Sequence, residues 1–281
     1  METKGQHILN VRDLHVKVKT NNGFATLVQD INFGIQKGKV MGLVGESGSG
    51  KTVTSMSILQ LLERKEAEIQ GSITLKGREL NGLKNKEMRE IRGKDIAFIM
   101  QNPMNAFTPI FTIGHQFDET IRSHTSLKKK QAKELAIDMM QSVNLPDPDK
   151  LLKSYPFELS GGMLQRVMIA MAACLHPSVI IADEPTTALD LHNQLLILRL
   201  LDKIRSEYGT SILLISHDLG VISEMADDVI VMKKGRIVES ANVFDLFDNP
   251  KHEYTKKLLR TRPTLYGEQQ PIPHLAEVGN E

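Results

Sequence analysis

The chain is short of several features that define whole classes of protein. Its 281 residues include a single cysteine, Cys174, which excludes a disulfide framework and any zinc or iron–sulfur site built from several cysteines of this chain. Lysine and arginine (35 residues) nearly balance aspartate and glutamate (34), giving a net charge of +1. Because nucleic-acid-binding proteins are usually strongly basic, we expect no nucleic-acid partner.

The sequence has no long apolar stretch, and we expect no secretory leader. The apolar runs are short, 179–182 and 212–215 among them, and none approaches the about 18 to 20 apolar residues that a membrane-spanning helix needs. Residues 1–6 do not show the basic and then apolar pattern of a signal peptide. We therefore expect a protein that does not cross a membrane by itself, which leaves docking onto a membrane partner open.

What the sequence does contain is the composition of an ordinary folded protein, with 41% hydrophobic and 25% charged residues. Its length allows one large domain or two small ones. Alternating residues in 8–36, interrupted by the turn signal Asn21-Asn22-Gly23, predict an antiparallel sheet near the start. Further along, short apolar strands alternate with helices, which predicts an α/β fold with ligands at the carboxyl ends of its strands.

The predicted elements follow from apolar spacing and from turn residues. Residues 81–95 are highly charged and are expected at the surface. Residues 267–281 are predicted to form a loose tail. Strands are predicted at 39–44, 69–80, 96–100, 178–182, 211–215 and in a hairpin over 229–240, and helices at 52–62, 127–145, 163–175, 191–207 and 218–226.

One segment matches a phosphate-binding loop without a mismatch. It reads Gly45-Glu46-Ser47-Gly48-Ser49-Gly50-Lys51-Thr52, the pattern G-x-x-x-x-G-K-[ST] between a predicted strand and a predicted helix. The glycines let consecutive N–H groups curl around phosphate oxygens, and the start of the helix adds the positive end of its dipole. We predict that Lys51 bridges the β- and γ-phosphates of a nucleotide and that the Thr52 hydroxyl holds Mg²⁺.

A second candidate site consists of two acidic residues. The buried strand predicted at 178–182 runs into Asp183 and Glu184. A carboxylate at the carboxyl end of a strand, near a phosphate loop, can position Mg²⁺. A second carboxylate beside it can polarise the attacking water. We assign Asp183 to the metal and Glu184 to the role of general base.

Leu159-Ser160-Gly161-Gly162-Met163-Leu164-Gln165-Arg166 resembles the signature motif of ATP-binding cassette (ABC) ATPases. The order of phosphate loop, signature, Asp-Glu strand end and Ser216-His217-Asp218 is that family's order, and the resemblance covers roughly residues 8–262. It implies a P-loop NTPase with a RecA-like core, an N-terminal antiparallel β subdomain and an inserted α-helical subdomain. We expect the ATPase domain at 8–249, its helical subdomain at about 102–170, and a C-terminal extension at 250–281.

The resemblance also implies roles for single residues. In this family two cassettes form a head-to-tail dimer, so Ser160, Gly161 and Gly162 would cover the γ-phosphate bound by the other subunit. Other matched positions are Gln101, which would touch Mg²⁺ and the attacking water, His217, which would bond the γ-phosphate, Asp190, which would link the two ATP sites, and Phe24, which would stack on adenine.

The complete set of catalytic elements predicts hydrolysis of ATP with Mg²⁺ rather than nucleotide binding alone. Three classes compete: the motor subunit of a membrane transporter, a soluble ABC protein of translation or DNA repair, and a nucleotide-dependent interaction module. Translation-type members usually carry two cassettes, and repair-type members add coiled coils or zinc modules. With one cassette and one cysteine, the chain fits the transporter class best.

Among transporters, the chain resembles the importer ATPases for dipeptides, oligopeptides and nickel, and most closely the nickel and metallophore branch. Many peptide-importer relatives carry a cysteine cluster after the cassette, which 250–281 lack, so nickel or a metal chelate is the favoured cargo and a peptide the alternative. The segments that resemble the importer family as a whole are 45–51, 181–187 and Tyr155-Pro156. Those that resemble the nickel branch are 99–103, 155–158, 162–166, 250–252 and 265–267.

Membership of this importer branch would also imply partners. These are a second ABC ATPase subunit, more often a different sibling than a second copy, two transmembrane permease subunits and, indirectly, an extracytoplasmic substrate-binding protein. The chain would then lie at the cytoplasmic face of the cell membrane. We expect the contact with the permease in the helical subdomain, around Phe107 to Phe111.

Overall fold

The computed structural model describes residues 7–21, 23–187 and 189–260. Part of the predicted 21–23 turn and the predicted tail at 267–281 lie outside these ranges. The strands of the described residues are β1 His7–Thr20, β2 Gly23–Gln36, β3 Val40–Val44, β4 Ala67–Leu75, β5 Arg78–Glu79, β6 Ile96–Ile99, β7 Val179–Asp183, β8 Ser211–Ser216, β9 Asp228–Lys233 and β10 Arg236–Asn242.

The helices alternate with the later strands. They are α1 Lys51–Ile58, α2 Asn85–Ile91, α3 Ile113–His124, α4 Lys129–Ser142, α5 Pro148–Leu151, α6 Gly161–Ala173, α7 Leu191–Tyr208, α8 Leu219–Met225, α9 Val243–Asp248 and α10 Glu253–Arg260, with 3-10 turns at Pro103–Ala106 and Pro156–Glu158. In the part of the chain that the structure covers, none of these helices has the length and apolar character needed to cross a bilayer.

Two sheets form the frame of the molecule. The larger has the strand order β10-β9-β3-β8-β7-β6 and is parallel except for β10, while the smaller has the order β2-β1-β4-β5 and is antiparallel. This mixed α/β arrangement, with an antiparallel sheet near the N-terminus and a set of helices between β6 and β7, confirms the predicted fold class.

The central strands read as unbroken apolar runs because both faces of the large sheet are buried. In β7, Ile180 and Ala182 pack into the core formed with the helices, whereas Val179 and Ile181 pack into a second core shared with the antiparallel sheet. The alternation of side chains along a strand thus divides one short apolar segment between two cores. Packing on both faces therefore holds the sheet in place, and with it the edge at which the strands end.

Three local expectations differ from the structure. The first helix ends at Ile58 rather than at residue 62, because Gln60 takes a left-handed φ of 51° and the Leu61 amide bonds back to the Met56 carbonyl, which closes the helix in a Schellman turn. The charged segment 81–95 is not wholly at the surface, since α2 buries Met88 and Ile91 in the second core. Helices α2, α3, α5, α9 and α10 had not been predicted.

Candidate nucleotide-binding site

The register of the parallel strands brings the predicted site residues to one edge of the sheet. Val44 pairs with Ser216, Asp183 with Ile215, and Ile99 with Ala182. The phosphate loop follows β3, Glu184 follows β7, and His217 and Gln101 follow β8 and β6 with at most one residue between. Because carboxyl ends of parallel strands meet at one edge, the chain collects a lysine, two carboxylates, a histidine and an amide there.

The phosphate loop needs glycine at its first position. Gly45 has a φ of 153°, and a Cβ on it would lie 2.3 Å from the carbonyl oxygen of Met232, far inside van der Waals contact. At the other end of the loop, α1 begins after Gly50, and among the described residues no side chain caps its start. The first N–H groups of this helix are therefore left for an anion.

Lys51 folds back across its own loop. Its Nζ donates to the carbonyl oxygens of Gly45 at 2.7 Å and of Glu46 at 3.1 Å, although the side chain is almost fully buried. Burial lowers the pKa of Lys51, while the charges of Glu184 and Asp183 act in the opposite direction. The ammonium group is thus within electrostatic reach of both carboxylates.

Asp183 and Thr52 meet between β7 and α1. Burial raises the pKa of Asp183, and the hydrogen bond from the Thr52 side chain opposes that rise. The hydroxyl of Ser49, also buried in the loop, has no hydrogen-bond partner within the described ranges. The hydroxyl of Thr52, the carboxylate of Asp183 and the side-chain amide oxygen of Gln101 are hard oxygen donors of the kind that Mg²⁺ prefers. The residues present therefore fit this ion.

Glu184 is held in a strained and ordered position. Its φ is 53°, in the left-handed region that non-glycine residues rarely occupy. Its Oε2 lies 2.5 Å from Nδ1 of His217 and accepts a hydrogen bond from Oγ1 of Thr187 at 2.7 Å. Only 12% of the Glu184 side chain is exposed, against 60% for His217. The contact of Thr187 was missed from the sequence, where a threonine two positions after a proline carries no distinctive signal.

The signature segment starts α6. Ser160 caps this helix, accepting from the Met163 amide at 3.4 Å, and nothing lies within 4 Å of where a Cβ on Gly161 would be. Farther along α6, the Gln165 side chain is buried and donates to the Pro185 carbonyl at 2.8 Å. The exposed glycine turn is thereby connected through its helix to the segment that follows Glu184.

The helix that follows the phosphate loop and the helix that starts at the signature pack against different elements. Helix α1 packs against β1, β2 and β7, whereas α6 packs against α4, β6 and the 3-10 turn at Pro103–Ala106. Helix α6 also packs against α7, and among these packing partners the two helices share none.

The two remaining predicted residues lie outside the carboxylate cluster. Phe24 is 52% exposed on β2, a strand that passes beside the phosphate loop, since a Cβ on Gly50 would be 3.2 Å from the Leu27 carbonyl oxygen. Asp190 caps α7 by accepting from the Asn193 backbone amide at 2.8 Å and from its side chain at 2.7 Å. In the structure, Asp190 therefore serves as the N-terminal cap of α7.

Comparison with known proteins identifies the family of the chain. The model of the ABC transporter family matches residues 28–187. Over 98% of its length the chain is 43% identical to a probable peptide ABC transporter ATP-binding protein of Sinorhizobium fredii, covering 83% of that protein. Over 92% of its length it is 44% identical to the dipeptide transport ATP-binding protein of Bacillus subtilis, covering 78% of it.

Solved structures give the same fold at lower sequence identity. The chain superposes on the ATP-binding cassette MJ0796, determined as a dimer in a post-hydrolysis state with ADP and Pi, with a TM-score of 0.75 and 24% identity over 84% of this chain and 98% of that one. It superposes on CbiO1 of Clostridium perfringens with a TM-score of 0.72 and 24% identity, over 86% of this chain and 91% of that one.

Proposed function

The chain belongs to the ABC transporter family of ATP-binding proteins and is an ATPase, and from this membership we propose that it powers a peptide importer. The observation that carries the cargo assignment is the identity of 43% and 44%, over nearly the whole chain, with relatives named for peptide and dipeptide transport.

The nickel and metallophore assignment favoured by the sequence is not confirmed by these relatives. It rested on likeness of short segments and on the lack of cysteine in 250–281. The relatives above are named for peptides, so their names support the reading that had been the alternative. We therefore propose a dipeptide or oligopeptide as cargo.

We propose that binding of ATP replaces the internal bonds of Lys51. Its ammonium group would leave the carbonyls of Gly45 and Glu46 for the β- and γ-phosphate oxygens, and the uncapped start of α1 and the unpaired Ser49 hydroxyl would bond the same phosphates. Thr52, Asp183 and Gln101 would hold Mg²⁺, which supplies charge neutralisation when bound. Phe24 on β2 would stack on adenine.

Glu184 would orient the attacking water. The contacts of His217 and Thr187 to a single oxygen, Oε2, hold the carboxylate in one direction, and burial keeps water from screening its charge. His217, the more exposed of the pair, would bond the γ-phosphate.

The exposed signature turn supports assembly with a second cassette. A free glycine turn at the start of a helix offers N–H groups to an anion, and we propose that 160–162 meet the nucleotide of a second ABC ATPase subunit, with a sibling chain as the expected partner. Asp190 would take part in the same interface.

Two permease subunits would receive the motion of this pair at the cytoplasmic face of the membrane. Ile110 and Phe111 are exposed, at 74% and 39%, and suit that contact, whereas Phe107 is 6% exposed and packs in the core. We therefore keep Ile110 and Phe111 in the proposed permease contact and leave out Phe107.

The experiment is uptake by the assembled transporter. Vesicles that hold this chain, its sibling ATPase and the permeases, supplied with the substrate-binding protein, are expected to import a labelled di- or oligopeptide with ATP, and not radioactive nickel. Nickel uptake without peptide uptake would replace the cargo assignment. ATP hydrolysis that drives neither would contradict an importer for these cargoes.

A further inference from the structure

Helix α10 is attached to the body of the protein by a carboxylate on β10. Glu239 accepts from the Lys251 amide at 2.7 Å through Oε1 and from the His252 amide at 3.0 Å through Oε2. The ring nitrogen Nδ1 of His252 in turn accepts from the Tyr254 amide at 3.0 Å. These bonds fix the chain at the start of the helix and so fix the direction of the Tyr254 side chain.

Tyr254 reaches from α10 into the phosphate loop. Its side chain is 5% exposed, its hydroxyl oxygen accepts a hydrogen bond from the Glu46 backbone N–H at 3.1 Å, and the Nζ of Lys233 lies 4.6 Å from the centre of its ring. The contact joins residues that are 208 positions apart in the sequence. A buried aromatic ring has few accessible rotamers, so the hydroxyl is held in place by packing.

The same face of the loop is held at a second point by the turn between β9 and β10. The Gly235 N–H donates to the Ser49 carbonyl at 2.9 Å, and the Gly235 carbonyl accepts from the Gln29 amide at 2.8 Å. Residues 46 and 49 are therefore both bonded to groups from the last third of the described chain. The Glu46 carbonyl faces Lys51, so the peptide groups on either side of Glu46 are both occupied.

We propose that Tyr254 is a positioning residue for the nucleotide site. The direction of each loop amide decides whether it points at a phosphate, because the anion is bound by backbone N–H groups. By holding the Glu46 amide outward, the Tyr254 hydroxyl keeps the following amides of the loop turned toward the ligand, which lowers the ordering cost of binding. The proposal rests on the proposed function, in which this loop binds ATP.

The contact also couples α10 to the nucleotide. Coupling between two sites is reciprocal in free energy: if the docked helix favours ATP binding, bound ATP must favour the docked helix by the same factor. A loop that must change shape to release Lys51 from the Gly45 and Glu46 carbonyls passes that change to the hydroxyl 3.1 Å away.

The test removes a single oxygen atom. Tyr254→Phe keeps the ring, its packing and the cation above it, and Tyr208→Phe is the matched control, because the Tyr208 hydroxyl is on α7 and contacts Met139 rather than the loop. Affinity of the purified full chain for a magnesium complex of a non-hydrolysable ATP analogue is measured by calorimetry, and melting temperature is measured with and without the analogue. Hydrogen exchange of 251–260 is followed in both conditions.

We expect Tyr254→Phe to weaken nucleotide binding by about 3- to 10-fold relative to Tyr208→Phe, the usual size for one hydrogen bond, at a temperature at which both nucleotide-free variants are fully folded. Nucleotide should slow exchange in 251–260 of the unsubstituted chain, and this protection should be lost in Tyr254→Phe. Equal affinity in the two variants would overturn the positioning role alone. A loss of affinity that only follows a loss of nucleotide-free stability would also overturn it. Lack of binding by the unsubstituted chain would instead overturn the proposed function.

Discussion

Glu184 makes its two side-chain contacts through one oxygen. His217 and Thr187 both meet Oε2, so Oε1 is the atom that we expect to face the attacking water. The backbone adds to this order, because a left-handed φ at a glutamate persists only where its surroundings impose it. Here the Glu184 amide donates to the Ile215 carbonyl at 2.9 Å, which holds the turn against β8.

Replacement of Glu184 by glutamine should separate binding from hydrolysis. The amide keeps the shape of the side chain but loses the charge that polarises water, so we expect ATPase activity of the assembled complex to fall by a factor on the order of 10² to 10⁴, with ATP still bound. Glu134→Gln on α4, at an exposed position, is the control. The sibling cassette must be inactivated in both complexes, and turnover equal to that of the control would contradict the role of Glu184.

Cys174 should be chemically silent in the folded protein. Burial raises the pKa of its thiol to about 12, and the side chain is 1% exposed. Since the thiolate is the reactive form, we expect N-ethylmaleimide at pH 8 to leave the native chain unlabelled and to label it fully in guanidinium chloride. Mass spectrometry measures both states. Labelling of the native chain at the rate of a free thiol would show that the helical core opens readily.

Helix α6 links the signature turn to the catalytic edge. Gln165 is the connecting residue, since its buried amide donates to the Pro185 carbonyl next to Glu184. A change in the position of the signature helix is therefore carried to the carboxylate without passing through the phosphate loop. In the proposed pair of cassettes, this linkage would give the second cassette a physical route to Glu184, the proposed water-positioning residue of the first.

Gln165→Leu is expected to weaken that linkage. The substitution leaves a buried carbonyl unpaired, which costs about 1 to 3 kcal/mol, and it frees the 184–187 turn. We expect a lower unfolding free energy by denaturant titration and a lower kcat for ATP hydrolysis by the complex. Gln141→Leu, on the exposed face of α4, is the control. An unchanged kcat in the destabilised Gln165→Leu variant would restrict Gln165 to a role in stability.

Some elements could be predicted from the sequence, and others could not, for physical reasons. Strands β3, β7 and β8 are short apolar runs buried on both faces, so local composition indicates them. Helix α3 buries Ile113, Phe117 and Ile121 at helical spacing and is capped by Thr112, a signal that was present and was overlooked. The Tyr254 contact has no local signal, because its partner in the loop is set by how two distant elements pack.

At the scale of the whole molecule, the predicted motifs meet because the strand order, rather than the chain order, places them side by side. The phosphate loop and the Asp183-Glu184 turn are on β3 and β7, which are both neighbours of β8. No local pattern specifies that order. The family resemblance implied that these motifs act at one nucleotide site, but it gave no strand order. For the cargo, resemblance of short segments favoured nickel, while whole-chain identity supports peptides.

Within the complex, the exposed and buried members of 107–111 should behave differently. Ile110→Asp places a charge on the proposed permease contact, so we expect peptide uptake to fall while the basal ATPase activity of the complex and the unfolding free energy of the isolated chain are retained. Phe107→Ala should instead lower the unfolding free energy by about 3 to 5 kcal/mol, the cost of a cavity left by a buried aromatic. Full uptake by Ile110→Asp would exclude this surface from the permease contact.

The position of β3 in the large sheet has a consequence for synthesis of the protein. Its neighbours are β8 and β9, so the strand that leads into the phosphate loop has no sheet partner until Ser211–Ser216 has left the ribosome. The β1–β2 hairpin, by contrast, can close as soon as its own residues emerge. A nascent chain therefore carries residues 40–44 as an unpaired apolar strand through most of its translation, in the period when chaperones would have to protect it.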